Sequence, residues 1–310
     1  MGKPKIAITI RSFGEGGRAL ERLWDQVSLT YHNTSSRRLT EDELVAVLRD
    51  AEGVIAGTEP FTSRVLESSP LLRAISRVGS GTDSIDHGAA RERRIAILTT
   101  REAPVRAVAE HTMALTLACL KQIPQHDRAM RDGKEGSVPG RMLQGRSVGI
   151  IGLGRIGHQV ARFLEPFGCR ILYFDILPAK DVGAAWEQKE TLREVLEESD
   201  ILSLHATPTV SGKPILDEEA FHSIKQGVII INTSRGSLID EDALLRAIRT
   251  GTVAGAGLDV FRTEPYRGQL LACPQVIATP HVASNTRESR DAMEYEAVEN
   301  LLEALEGGGP

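Results

Sequence analysis

Short apolar runs alternate with longer amphipathic stretches along the whole chain. A first set lies at 5–10, 53–56, 73–77 and 95–98, with a further strand expected at Val27–Tyr31. A denser second set covers Ser147–Ile151, Arg170–Phe174, Ile201–Leu204, Val228–Ile231, Ala254–Leu258 and Val276–Ala278. Near-continuous Ile, Val and Leu runs are strands covered on both faces of a parallel sheet. Their alternation with helical segments is the pattern of α/β layers. Thr40 with Glu43 three residues later marks a helix start by a capping box.

Between the two sets, Val105–Ile123 reads as one long helix, and Asp132–Gly140, rich in Gly and Pro, reads as a loop. A last helix spans about Thr286–Leu305 and comes too late to extend the second sheet. The economical arrangement returns it to the first domain. We therefore expect two Rossmann-like domains with parallel sheets: a discontinuous, flavodoxin-like substrate domain of 1–98 and 285–310, and a nucleotide-binding domain of 99–284. A length of 310 residues agrees, because single cores stop growing near 250–300 residues. A cofactor is expected between the domains.

Composition narrows the function by exclusion. A net charge of −5 spread along the chain gives no reason to expect nucleic acid or an anionic membrane as a partner. An aromatic content of 4% also argues against base stacking. Cys119, Cys169 and Cys273 stand far apart, with neither metal-ligand spacing nor a disulfide framework. Ile6–Ile10 is too short for a signal sequence, and no apolar run nears the roughly 20 residues of a membrane span. A cytoplasmic protein that holds no metal is the expectation.

The strand Ser147–Ile151 runs directly into Gly152-Leu-Gly154-Arg-Ile-Gly157, and a helical pattern follows. In such a fingerprint the first glycine makes the turn, the second admits a pyrophosphate, and the third lets helix meet strand. The helix N-terminus then offers N–H groups and a favourable dipole to the phosphates. Asp175 ends the next strand, 18 residues after Gly157, where a carboxylate accepts from ribose hydroxyls. It would repel a 2′-phosphate, so NAD is favoured over NADP. Gly14-Glu-Gly16-Gly-Arg-Ala19 fits a similar pattern, but Arg11, Ser12 and Phe13 separate it from the strand, and no acid ends the next one. It reads as a glycine-rich surface loop.

Three further blocks carry candidate chemistry: Arg235 in Asn232-Thr-Ser-Arg-Gly236, Glu264 in Leu258-Asp-Val-Phe-Arg-Thr-Glu-Pro265, and His281 in Thr279-Pro-His-Val-Ala283. A fixed planar cation, a carboxylate and an imidazole beside a nicotinamide suit hydride transfer to a 2-keto acid. Each residue alone could be a loop or turn residue. Together with Gly57-Thr-Glu-Pro-Phe-Thr62, Val78-Gly-Ser-Gly-Thr-Asp83, Val108-Ala-Glu-His111 and the fingerprint, they make the chain resemble the D-2-hydroxyacid dehydrogenase family over essentially its full length, nearest its phosphoglycerate dehydrogenase branch. The resemblance implies that Arg235 holds the substrate carboxylate and polarises the keto oxygen. It implies that His281 is the acid/base with Glu264 as its partner, and that Asp259 lies by the nicotinamide carboxamide. The expected cofactor set is Gly152, Gly154, Arg155, Ile156, Gly157, Asp175, His205, Thr233, Ser234 and Asp259. The backbone near Ser80 and Gly81 can bind the substrate carboxylate. The resemblance also points to a homodimer, as does the apolar Val105–Ile123 segment.

Departures from the family pattern concern the substrate. Ser84 replaces a common Asn, and Gly79-Ser-Gly-Thr82 carries small polar residues. Proline is displaced by one in Ala206-Thr-Pro-Thr209. Thr58 and Glu59 stand where many phosphoglycerate dehydrogenases have an arginine–serine pair. Ser80 stands where a phosphite dehydrogenase has lysine. Arg11, Arg77 and Arg101 follow first-domain strands or fall near the expected cleft, and Arg11 is the candidate for a second anionic group such as a phosphate or phosphonate; an exposed arginine or an interdomain ion pair is the competing reading. His87, His111 and His126 read as structural or exposed. The alternatives are a glyoxylate- or hydroxypyruvate-type reductase, a specialised biosynthetic dehydrogenase, and an NAD(H)-sensing binding protein like the co-repressors of this fold.

Overall fold

The computed structural model describes residues 2–35, 37–134, 138–208 and 211–307. The chain divides into two compact units, Met1–Pro104 with Asn285–Pro310, and Val105–Ser284. The first unit runs β1 (Lys5–Ile8), α1 (Arg18–Trp24), β2 (Ser28–His32), α2 (Glu41–Val47), β3 (Gly53–Ala56), α3 (Ser63–Glu67), β4 (Ala74–Arg77), α4 (His87–Glu92) and β5 (Ala96–Thr99). The second runs α5 (Val105–Lys121), α6 (Ile123–Arg131), β6 (Ser147–Ile151), α7 (Arg155–Leu164), β7 (Arg170–Phe174), β8 (Glu187–Gln188), α8 (Leu192–Glu198), β9 (Ile201–Leu204), α9 (Glu218–Ser223), β10 (Val228–Asn232), α10 (Glu241–Arg249), β11 (Val253–Leu258) and β12 (Val276–Ala278). Then α11 (Arg287–Glu306) closes the first unit.

The first sheet is parallel with order β2-β1-β3-β4-β5, the doubly wound flavodoxin-like arrangement. Helix α11 lies on β3, β4 and β5 and beside α1. Its Met293, Ala297, Val298, Leu301, Leu302 and Leu305 share a core with Ile6, Ile8 and Ile55. Polar bonds from α11 fix two loops of this unit. Glu296 accepts the N–H groups of Arg101 (2.9 Å) and Ala103 (3.2 Å). Buried Glu294 accepts from Gly14 N–H (2.8 Å) and pairs with Arg290 (2.6 Å), whose Nη2 donates to the Arg11 carbonyl (2.7 Å). The capping box forms at α2: the Thr40 hydroxyl accepts from Glu43 N–H, and the Glu43 carboxylate accepts from Thr40 N–H.

The second sheet is also parallel, in the order β12-β11-β10-β9-β6-β7-β8. Read from β8, this is the Rossmann order with one strand added beyond it. Two local differences from the sequence expectation have physical causes. The long helix ends at Lys121, where Gln122 turns left-handed (φ 53°), and α6 begins at Ile123 with Pro124 in its first turn. Proline has no N–H for an intrahelical bond and is tolerated in a first turn, so α5 and α6 are separate helices. Strand β8 is polar and two residues long, so it has no apolar signature; pairing with Leu172 and Tyr173 defines it. Part of the expected 132–140 loop, and Thr209, lie outside the described residues.

Candidate active site

Strand β6 ends in Gly152, whose φ is 91°. A Cβ on Gly152 would sit 2.8 Å from the backbone of His205 and Ala206, and one on Gly157 would sit 2.1 Å from the Gly152 carbonyl oxygen. The turn is therefore closed against its own backbone at these two glycines. Gly154, the N-cap of α7, is the opposite case: a Cβ there would meet nothing within 4 Å. Open space in front of a helix N-terminus is what a pyrophosphate needs. The competing glycine motif lacks it, since a Cβ on Gly14 would strike Leu20 and one on Gly16 the Asp291 carboxylate.

Asp175 ties the fingerprint to the end of β7. Its Oδ2 accepts from Leu153 N–H (2.7 Å) and its Oδ1 from Leu177 N–H (2.8 Å). Each carboxylate oxygen keeps a further lone pair for a hydroxyl donor. Arg155 and Ile156 open α7. His205 follows β9, with Nε2 2.8 Å from Ser203 Oγ. Among the described residues its Nδ1 is buried without a partner, and burial pushes the imidazole down to about 3. A buried ring nitrogen of this kind can form a hydrogen bond with a polar ligand. The open Gly154 face, the doubly anchored Asp175 and the orphaned His205 Nδ1 all fit a dinucleotide.

The remaining groups sit past the carboxyl ends of three adjacent parallel strands, where ligands of open α/β sheets bind. Past β10, Asn232 accepts from Ser234 N–H (3.0 Å) and donates to the Arg235 carbonyl (2.9 Å), which shapes the loop. Thr233 shares a 2.8 Å hydroxyl bond with Thr112 of α5. Arg235 Nη1 donates to the Ser234 carbonyl (2.7 Å). Gly236 lies so close to Phe261 that a Cβ would fall 1.9 Å from its carbonyl carbon, which sets the Arg235 loop directly against the segment carrying Glu264. The Glu264 Oε1 accepts from Phe261 N–H (3.1 Å), and its Oε2 lies 2.9 Å from His281 Nδ1. A carboxylate only accepts, so Nδ1 carries the proton and Nε2 is the free end of the ring.

His281 has φ 54°, uncommon for a residue with a side chain. Its N–H donates to the Asp259 carbonyl (2.8 Å). The fully buried Asp259 carboxylate accepts from the Thr279 hydroxyl and from Val282 and Ala283 N–H, both at 2.9 Å. Sequence reasoning gave no role to Asn232 or Thr279 and read His111 as structural or exposed. All three stood inside motifs already singled out, which was the available signal; their partners appear only on folding.

Apart from Arg235, the expected substrate contacts lie in the first unit. Ser80 is exposed and Gly81 half-buried, in the loop after β4. Arg11 is exposed beyond β1. Arg77 donates to the Val78 carbonyl (2.6 Å), and Arg101 Nε to Thr99 Oγ1 (3.2 Å). Glu59 is 2% exposed and accepts from Gly57 N–H (2.7 Å); burial pushes its carboxyl up from the usual range.

Known proteins resemble this chain throughout. Residues 113–283 match the family described as D-isomer specific 2-hydroxyacid dehydrogenase, NAD binding domain. A hydroxypyruvate reductase of Thermotoga maritima is 36% identical, covering 87% of this chain and 90% of its own. A D-3-phosphoglycerate dehydrogenase of Mycobacterium bovis is 35% identical over 92% of this chain, which spans only 54% of that relative's length. The crystal structure of a glyoxylate reductase from Paecilomyes thermophila superposes with a TM-score of 0.90 at 29% identity, covering 100% and 97% of the two chains. The chain belongs to the D-2-hydroxyacid dehydrogenase family and is an NAD-dependent oxidoreductase.

Proposed function

We propose that the protein interconverts a D-2-hydroxy acid and a 2-keto acid, with His281 as the acid/base. The observation that carries this reading is the 2.9 Å contact between His281 Nδ1 and Glu264, which leaves Nε2 to exchange a proton with the substrate oxygen. NADH, held by the fingerprint and Asp175, would supply the hydride for the carbonyl carbon. Glu264 stabilises the imidazolium, and the planar fork of Arg235 binds the carboxylate and polarises the keto oxygen. The amides near Ser80 and Gly81 are proposed as further donors to a substrate carboxylate. Gly152, Gly154, Arg155, Ile156, Gly157, Asp175, His205, Thr233, Ser234 and Asp259 form the proposed cofactor set.

Two substrate readings remain. Exposed Arg11 supports a phosphoglycerate-type substrate with a second anionic group. A small unphosphorylated keto acid, of the glyoxylate or hydroxypyruvate kind, is favoured by two observations: Arg77 is engaged with the Val78 carbonyl, and Glu59 is an acid. NADH oxidation against glyoxylate, hydroxypyruvate and 3-phosphohydroxypyruvate separates them. No turnover of any 2-keto acid in a wider panel would leave the NAD(H)-sensing alternative.

We further propose a homodimer. Helix α5 is not the reason, because its apolar residues are buried within its own unit against α7, β10 and β11. Helix α6 is the better support: it buries none of its residues, and Ile123, Met130, Val138 and Met142 on and after it are exposed. A cytoplasmic location is the accompanying proposal, supported by three unpaired cysteines, of which Cys119 is pushed up to about 12 by burial.

A further inference from the structure

The loop that carries His281 is held by a polar relay that begins on α5. His111 Nε2 lies 3.1 Å from Thr279 Oγ1 and 3.6 Å from Asp259 Oδ1. The proton positions follow from donor counting. The Thr279 hydroxyl has one hydrogen, and it points to the Asp259 carboxylate, which only accepts. His111 Nε2 must therefore be the donor to Thr279. The direction is fixed from end to end: imidazole N–H to hydroxyl, hydroxyl to carboxylate. The same carboxylate then receives Val282 and Ala283 N–H.

The relay brackets His281. Thr279 lies two residues before it, Val282 and Ala283 directly after it, and all three bind one carboxylate that is fully buried. Between them His281 holds its left-handed backbone, which a side-chain-bearing residue keeps only where its surroundings over-determine it. We propose that His111 and Thr279 are positioning residues for His281, acting through Asp259. This rests on the reading of His281 as the acid/base. The relay orders the Asp259 carboxylate, the carboxylate orders the loop, and the loop aims the ring at Glu264 and the substrate. A site misaimed by a fraction of an ångström loses rate rather than affinity for the cofactor.

The test uses the intact enzyme with NADH and the best 2-keto acid. His111→Leu and Thr279→Val should each lower kcat about tenfold, with the KM for NADH unchanged within about twofold. Thr279→Ser keeps the hydroxyl and should restore kcat to within about threefold of wild type. The double variant should be no worse than the poorer single, because both remove one relay. A shift in the KM for NADH without loss of kcat would place the relay in cofactor binding and overturn the proposal. So would additive losses, or failure of Thr279→Ser to rescue. His281→Ala is measured alongside. If it stays active, the acid/base reading fails. If it is inactive while His111→Leu and Thr279→Val match wild type, only the positioning proposal fails.

Discussion

His281 Nδ1 and Glu264 Oε2 lie 2.9 Å apart, and the other oxygen of Glu264 is held by Phe261 N–H. The carboxylate is thus anchored on one side and presented to the imidazole on the other. If this pair works as proposed, His281→Ala should lower kcat by at least about two orders of magnitude, the usual scale of general acid–base help. NADH binding, followed by fluorescence, should persist, because the fingerprint is untouched. Glu264→Gln retains an acceptor without its charge, and we expect a smaller loss in kcat, about tenfold. Near-wild-type turnover in both variants would place the proton transfer elsewhere.

Asp175 should set the cofactor choice. Asp175→Ala removes the charge that opposes a 2′-phosphate and two anchors of the fingerprint turn. The ratio of kcat/KM for NADH to that for NADPH should fall at least about tenfold, and the KM for NADH should rise. An unchanged ratio would contradict the role given to this carboxylate.

The glycines of the fingerprint should separate by what surrounds them. Gly157→Ala forces a methyl onto the Gly152 carbonyl oxygen and should destabilise the fold by about 1–3 kcal/mol. Gly154→Ala meets open space, so its stability should stay within about 0.5 kcal/mol while the KM for NADH rises. Urea unfolding and steady-state kinetics on the two variants give the comparison directly.

His205 predicts a pH effect on stability. Burial holds its folded-state value at about 3, below the roughly 6.5 of an unfolded chain. Between those values the unfolded state binds the extra proton, so stability falls as pH drops from about 6.5 towards 3. His205→Gln should flatten that part of the curve. Equal slopes for wild type and variant in urea titrations at pH 6.5 and 4.5 would show that His205 does not carry it.

Helix α6 should carry the subunit contact. Sedimentation at micromolar concentration is expected to give a dimer, and Met130→Asp, placed at a 77% exposed methionine, should shift it towards monomer. A wild-type monomer would sink the assignment.

The α/β pattern, both strand sets, the capping box at Thr40 and the dinucleotide turn were legible in the sequence because each is written in a short window. Apolar runs, a glycine spacing and a cap need only neighbouring residues to reveal them. The local contexts of Arg235, Glu264 and His281 were legible for the same reason. Tertiary structure decided the rest. It ended α5 at a left-handed Gln122, and it defined β8 by pairing alone. It brought Glu294 to Gly14 across 280 residues and His111 to Thr279 across 168. Among the described residues it left one nitrogen of His205 without a partner. A side-chain bond between distant segments depends on which strand ends the topology sets side by side. No local propensity carries that information, so the groups that aim the imidazole become visible only when the chain is folded.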